Sequence, residues 1–249
     1  MTRPGLAAAL VLVLALLVPP ASAAPAPFAP APAAAPAASA AAVERIVLGG
    51  VRVRVGPRTR QVVTVDHTRG HHARVAFWVK RGERWLRRMV TTDGRTGYGG
   101  LVPGGRRRQG TGTTPLGTYP LPWAFGTHRA DDGWDLRYRR IRRGDFWVQD
   151  NESDFYNRYR HQSRGGFRWW LPSSHPDASE RLIDYGRQYE YAVVMGFNRD
   201  QVRHRGSGIF LHVNGRGATA GCVSAPRPFL RRLMRRLHPD LHPVIAVGR

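Results

Sequence analysis

The chain contains one cysteine, Cys222, and a reading of its chemistry starts there. A lone cysteine cannot form an intramolecular disulfide. An unpaired thiol outside a reducing compartment is a liability unless it is buried or used. Three readings stand side by side: a buried inert thiol, an intermolecular disulfide, and a nucleophile. The neighbouring sequence favours the third. Gly208-Ile209-Phe210-Leu211-His212-Val213 has the pattern of a strand with His212 near its end. A Gly-containing loop then returns the chain to Cys222 ten positions after His212, short enough for the two side chains to meet. An imidazole beside a thiol can take its proton or hold the thiolate as an ion pair. A helix predicted to start near Pro226 would bring its positive end close to Cys222 and favour the thiolate. Gly221 permits close backbone approach or a positive φ, and successive amide N–H groups in this turn could form an oxyanion hole.

Other constellations carry less. His67, His71 and His72 have no carboxylate or cysteine pattern beside them, so a loop cluster is expected there and not a zinc site. Asp131, Asp132 and Asp135 lack the spacing of a calcium loop. No metal or cofactor is expected. Trp169 and Trp170 could stack on sugar rings, but packing in the core or as a cap is the expectation.

The elements that must position His212 and Cys222 read as mostly β. Val51, Val53 and Val55 alternate with Arg52 and Arg54, the period of a half-buried strand. Gln61–Val65, Val75–Val79 and Trp85–Thr91 are further strands, with a hairpin turn at Arg81-Gly82-Glu83 between the last two. Glycine-rich Arg95 to Gly112 reads as a long loop. Thr118–Leu121, Phe146–Val148, Tyr191–Gly196 and Gly208–Val213 are short strands, and Val244–Val247 closes the sheet. Two helices are predicted. Ala178–Arg187 is the weaker. Pro226–Leu237 carries Phe229, Leu230, Leu233, Met234 and Leu237 on one face and arginines opposite, with Pro226 suited to a first turn.

Composition bounds the whole. The 249 residues hold 39 basic and 17 acidic side chains, a formal charge of +22, and Lys80 is the single lysine. Such a charge attracts polyanions: nucleic acid, an anionic cell wall or a membrane surface. The N-terminus chooses among them. Arg3 followed by the apolar run Leu6–Val18 and then Ala21-Ser22-Ala23 fits a secretory signal peptide cleaved before Ala24. The run is too short for a comfortable membrane span, so membrane contact is expected only transiently, through residues 1–23. Export argues against a nucleic-acid partner and leaves a mature charge of +21 for anionic wall polymers. Residues 24–42, nearly all Ala, Pro and Ser, read as a disordered spacer. Residues 43–249 form the expected folded domain, large enough for a core without disulfides, and a monomer is expected.

Around Cys222 the sequence resembles a known family, the YkuD-type L,D-transpeptidases of bacterial cell walls. Its signature is a strand histidine followed by Ser/Thr-x-Gly-Cys, here His212 and Thr219-Ala220-Gly221-Cys222. Gly110-Thr111-Gly112-Thr113-Thr114-Pro115-Leu116-Gly117-Thr118-Tyr119 looks like the family's Gly-x-x-x-Thr-Pro-x-Gly-x-Phe/Tyr segment. Asp145 to Asn157 and Tyr191 to Asn198 are similar to stretches of an actinobacterial branch. The resemblance covers roughly residues 60–247. It implies a mainly β fold, a β-sandwich or sheet core with a few peripheral helices. It implies Cys222 as nucleophile and His212 as base, the latter oriented by a backbone carbonyl because no nearby acid is evident. Thr219 and Gly221 would shape the turn and offer donors to the oxyanion. Tyr156 and Asn157 would line the substrate side of the cleft, as would Ser224, which stands where the family commonly has an arginine. The implied substrates are peptidoglycan stem peptides, cross-linked or trimmed through a thioester. A non-catalytic cationic wall-binding module is the alternative. Papain-like peptidases place the cysteine before the histidine, so the chain order here differs from theirs.

Overall fold

The computed structural model describes residues 43–129 and 133–249. The expected signal peptide and spacer, together with Asp131 and Asp132, lie outside the described residues. The fold is mainly β, with one large mixed sheet and few helices.

β1 (Glu44–Leu48) and β2 (Val51–Val55) form a hairpin. The three valines of β2 are buried and its two arginines exposed, as the alternation predicts. β3 (Gln61–His67), β4 (His72–Arg81) and β5 (Arg84–Arg95) follow as an antiparallel meander. Then come β6 (Leu101–Pro103), β7 (Thr114–Pro120), β8 (Ala124–Gly126), β9 (Tyr138–Arg140), β10 (Asp145–Trp147), β11 (Tyr159–His161) and β12 (Glu180–Arg181). The last elements are β13 (Tyr191–Val194), β14 (Phe210–Val213), β15 (Val223–Ala225), α1 (Arg227–Met234) and β16 (Val244–Gly248).

The main sheet has eleven strands in the order β6-β7-β16-β3-β4-β5-β15-β14-β13-β8-β9. β14 and β15 run parallel, as do β16 and β3. β10 pairs with both β11 and β12 in a separate small sheet. The period of two sorts side chains between the two faces of the main sheet. On one face Val63, Val75, Leu211, Val223 and Ile245 pack with Phe229, Leu230, Leu233 and Met234 of α1 into the principal core. The other face is divided. At one end Val62 and Ala246 lie under the β1–β2 hairpin. At the other, Ala192, Val194, Phe210 and Cys222 pack against Trp147, Leu182 and Tyr189.

Several expectations change. The expected helix Ala178–Arg187 is instead β12 followed by the 3-10 turn Leu182–Tyr185, because Glu180 is drawn into pairing with Trp147 of β10. The loop from Arg95 to Gly112 contains β6 and a 3-10 turn at Gly104–Arg106. β16 does not close the sheet but lies inside it, between β7 and β3. α1 covers one face of the sheet, its four apolar side chains buried in the principal core and its arginines exposed. The three histidines sit around the β3–β4 turn, where His67 bonds the Gly70 carbonyl and the rings of His71 and His72 stack. Among the described residues no group of three or more His, Cys, Asp or Glu is placed to hold a metal ion, and no helix is long and apolar enough to cross a membrane.

Candidate active site

His212 and Cys222 come from adjacent parallel strands. The register sets Leu211 against Val223 and His212 against Ser224. Carried back one residue, it sets Phe210 beside Cys222, and the Phe210 N–H indeed reaches Sγ at 3.4 Å. Phe210, His212, Cys222 and Ser224 therefore share one face. His212 and Cys222 are diagonal neighbours on it, about 8 Å apart at Cα by ladder geometry, with side chains that lean into the same space. That space is a cleft of ≈ 850 Å³, and both residues line it.

The chemistry of the pair follows from their hydrogen bonds. His212 Nδ1 lies 2.8 Å from the Val213 carbonyl oxygen. A carbonyl only accepts, so Nδ1 carries the proton and Nε2 presents its lone pair. This is the carbonyl orientation expected from sequence. Burial pushes the imidazole down to about 4, so at neutral pH it is an uncharged base. The Cys222 thiol donates to the Gly208 carbonyl at 3.3 Å. Burial pushes it up to about 12, and the Glu180 carboxylate adds to the rise; the Phe210 N–H and Arg107 act the other way. At rest the pair is neutral thiol and neutral imidazole, not an ion pair. The expected help from the helix N-terminus is absent: α1 packs on the opposite face of the sheet from Cys222.

The turn before the cysteine is fastened from two sides. Thr219 Oγ1 donates to the Cys222 carbonyl at 2.6 Å and accepts the Gly221 N–H at 3.2 Å. Thr114 Oγ1 donates to the same carbonyl at 3.3 Å and accepts the Gly97 N–H at 2.8 Å. The two motifs noted in the sequence thus meet at one carbonyl. Gly221 has φ +127°, and a Cβ there would fall 2.8 Å from Arg107 Nη2 and 2.9 Å from the Thr113 carbonyl. Both reasons for a glycine, the dihedral and the close approach, hold. The expected oxyanion donors change, however. The Thr219 hydroxyl and the Gly221 N–H are spent on each other and on Cys222, so these residues shape the turn and do not offer free donors.

None of the three expected substrate-binding residues is among those that line the cleft. Ser224 is fully buried, with its hydroxyl donated to Asn214 Oδ1 at 2.7 Å. The Tyr156 hydroxyl donates to Gln109 Oε1 and accepts the Gly206 N–H. Asn157, at φ +56°, donates to the carbonyls of Phe197 and Asn198 and accepts from Trp147 Nε1 and the Gly208 N–H. Its service to the site is indirect: it fixes Gly208, whose carbonyl holds the thiol.

Four residues were not legible from sequence. Glu180 lines the cleft as a partly exposed residue with an enclosed carboxylate. Burial raises it to about 7, against the lowering effect of the Tyr189 hydroxyl that donates to Oε1. The Tyr189 ring also stands edge-on to His212, with centroids 5.4 Å apart. Arg107 is buried, donates Nε to the Thr113 carbonyl at 2.7 Å and lies over the Phe197 ring. Burial makes its charge costly and lowers its affinity for the proton. Ser207 is 6% exposed, lines the cleft, and its hydroxyl has no hydrogen-bond partner among the described residues. Such an orphan is costly unless a ligand or water completes it. The only sequence signals were an arginine run at 106–108 and an acid inside a stretch that looked helical.

No protein-family model, no curated protein and no solved structure matches the chain.

Proposed function

We propose that the chain is a secreted, wall-associated cysteine acyltransferase of the YkuD L,D-transpeptidase type, acting on peptidoglycan stem peptides. The observation that carries the reading is the shared face of His212 and Cys222 in one cleft, with Nε2 the free nitrogen of a neutral imidazole. In the proposed reaction Nε2 takes the thiol proton as Sγ attacks the carbonyl between an L-centred diamino acid and a terminal D-alanine. The C–N bond breaks, D-alanine leaves with the proton, and the acyl group remains on Sγ as a thioester. An amine of a second stem, or water, attacks that thioester and restores the thiol. Arg107 supplies the fixed positive charge beside the reacting sulfur, a role its place near Gly221 supports.

The neutral, raised thiol also favours the second reading, a wall-binding module whose cysteine is structural. One experiment separates them. The chain is incubated with a tetrapeptide stem, and the products and the intact protein are weighed by mass spectrometry. The enzyme reading expects D-alanine release and a thioester adduct on the peptide holding Gly221 and Cys222, both lost in Cys222→Ala. In His212→Ala the adduct should form about 10²–10⁴-fold more slowly. A wild-type protein that releases no D-alanine and whose thiol stays inert to iodoacetamide is a binding module.

A further inference from the structure

The exposed aromatic side chains are not scattered. Among the described residues the exposed Phe, Trp and Tyr side chains are Tyr98, Trp169, Trp170 and Tyr185. Tyr98, Trp169 and Tyr185 line the Cys222 cleft, and Trp170 stands edge-on to Trp169 with centroids 5.8 Å apart. Trp169 is 43% and Trp170 64% exposed, so the packing role expected from sequence does not hold. Exposed apolar side chains gathered at one concavity mark a binding site, whereas single ones need no explanation.

The platforms are held in place. Phe167, just before the tryptophans, is buried with Phe146 and Val148. Arg168 is clamped by ion pairs to Asp150, Glu152 and Asp177. The Tyr98 ring lies against Gly112, where a Cβ would fall 2.2 Å from it, and its hydroxyl bonds the Gly110 carbonyl at 3.3 Å. Aromatic faces already ordered before binding lose little entropy on contact.

The polar lining tells the class of ligand. Gln162, Gln188, Ser173 and Ser174 line the same cleft. Among the described residues their side-chain amides and hydroxyls make no hydrogen bond, and the Ser207 hydroxyl in the same cleft has no partner either. Charge is nearly balanced there. The cleft's arginines are Arg107, Arg181 and Arg216 and its acids are Glu180 and Asp184, in a chain of net charge +22. A site for a polyanion would concentrate the positive charge; this one keeps it elsewhere. Aromatic faces with neutral donors and acceptors fit a pyranose ring, which is apolar on its C–H face and hydroxylated at its edge.

We infer that the rim of the Cys222 cleft is a glycan subsite, in which Trp169, Tyr98 and Tyr185 stack on pyranose rings of an uncharged amino-sugar chain. The inference rests on the peptidoglycan reading for the identity of the sugar: the glycan strand would be held while its attached stem enters the cleft.

The test uses full-length Cys222→Ala protein and a neutral β-1,4-linked N-acetylglucosamine hexamer, followed by tryptophan fluorescence and calorimetry. Expected are saturable binding that salt leaves unchanged and a fluorescence change. Trp169→Ala and Tyr98→Ala, added singly, should each weaken binding about tenfold or more with an unchanged melting temperature. If the hexamer does not bind while wild-type protein still releases D-alanine from a free stem, the subsite falls and the enzymatic reading stands. If the hexamer binds through Trp169 but no D-alanine is released, the subsite stands and the enzymatic reading falls. An oligonucleotide that displaces the hexamer and itself needs Trp169 would overturn the sugar assignment in favour of a polyanion.

Discussion

At Cys222 the resting thiol answers to two opposed charges. Glu180 raises it further above its buried value and Arg107 draws it down. Replacing the carboxylate with its neutral isostere, Glu180→Gln, should therefore speed alkylation by iodoacetamide severalfold at pH 8. Glu180 titrates at about 7, so below about pH 6 the wild-type side chain is itself neutral and the advantage should vanish. A variant that reacts no faster at pH 8 would remove Glu180 from the electrostatics of the site. The same residue gives a stability prediction. Its folded value is above the ordinary carboxylate value, so the fold prefers its protonated form. The stability from that preference is fully present below about 4.5 and is lost as pH rises through about 7. Glu180→Gln should then melt several degrees above wild type at pH 8, with the difference closing toward pH 4.5. His212 has the opposite sign. Its folded value lies at about 4, below the ordinary 6.5, so its contribution is lost as pH falls between those values. Subtracting the variant from the wild type isolates Glu180 from it.

The element that matters most is the return between β14 and β15. Arg95 donates to the carbonyls of Gly215 at 2.9 Å and Gly217 at 3.4 Å, and Asn214 is tied to Ser224 and Asp93. Thr219 closes a backbone ladder with Thr96 and Tyr98. Cys222 is therefore presented by a loop bound to β5 and its extension, not by the neighbouring strands alone. Thr219→Val and Thr114→Val keep the shape and remove a hydroxyl bonded to the Cys222 carbonyl. Each should cost about 1–3 kcal/mol in urea unfolding and should slow acylation of Cys222 in the mass assay. Stability loss with unchanged acylation would mean that the turn keeps its position without these bonds.

For the whole molecule the dominant quantity is charge. With a mature charge of +21, which follows from the sequence once residues 1–23 are removed, retention on anionic wall polymer should weaken markedly from low salt to high. Exposed charges are screened over about 8 Å at physiological ionic strength. Salt-independent retention would instead assign wall binding to the aromatic rim. The proposed export is checked by sequencing the N-terminus of the secreted chain, which should begin at Ala24; full-length protein kept in the cytoplasm would refute it.

The sequence by itself determined what is local. The alternation of β2, the strand bearing His212, the apolar stripe of α1 and the need for glycine at position 221 are properties of period and dihedral, and each is legible in a few consecutive residues. The candidate pair was legible for the same reason: a ten-residue return between adjacent strands leaves little freedom in where its ends lie. Tertiary structure decided everything that depends on which surfaces meet. Glu180 looked helical because its own segment says so, but pairing with β10 turned it toward the thiol. Arg107 belongs to a basic run like others in the chain, and only packing against Gly206 and Gly221 buries it beside the sulfur. Tyr156, Asn157 and Ser224 are polar residues that a cleft and a core use equally well, and the fold put them in the core. Trp169 and Trp170 are apolar residues expected to pack in the core or as a cap, and the fold left them exposed at the rim. At these positions burial is set by contacts distant in sequence and not by the period of one element, so no local pattern could assign it.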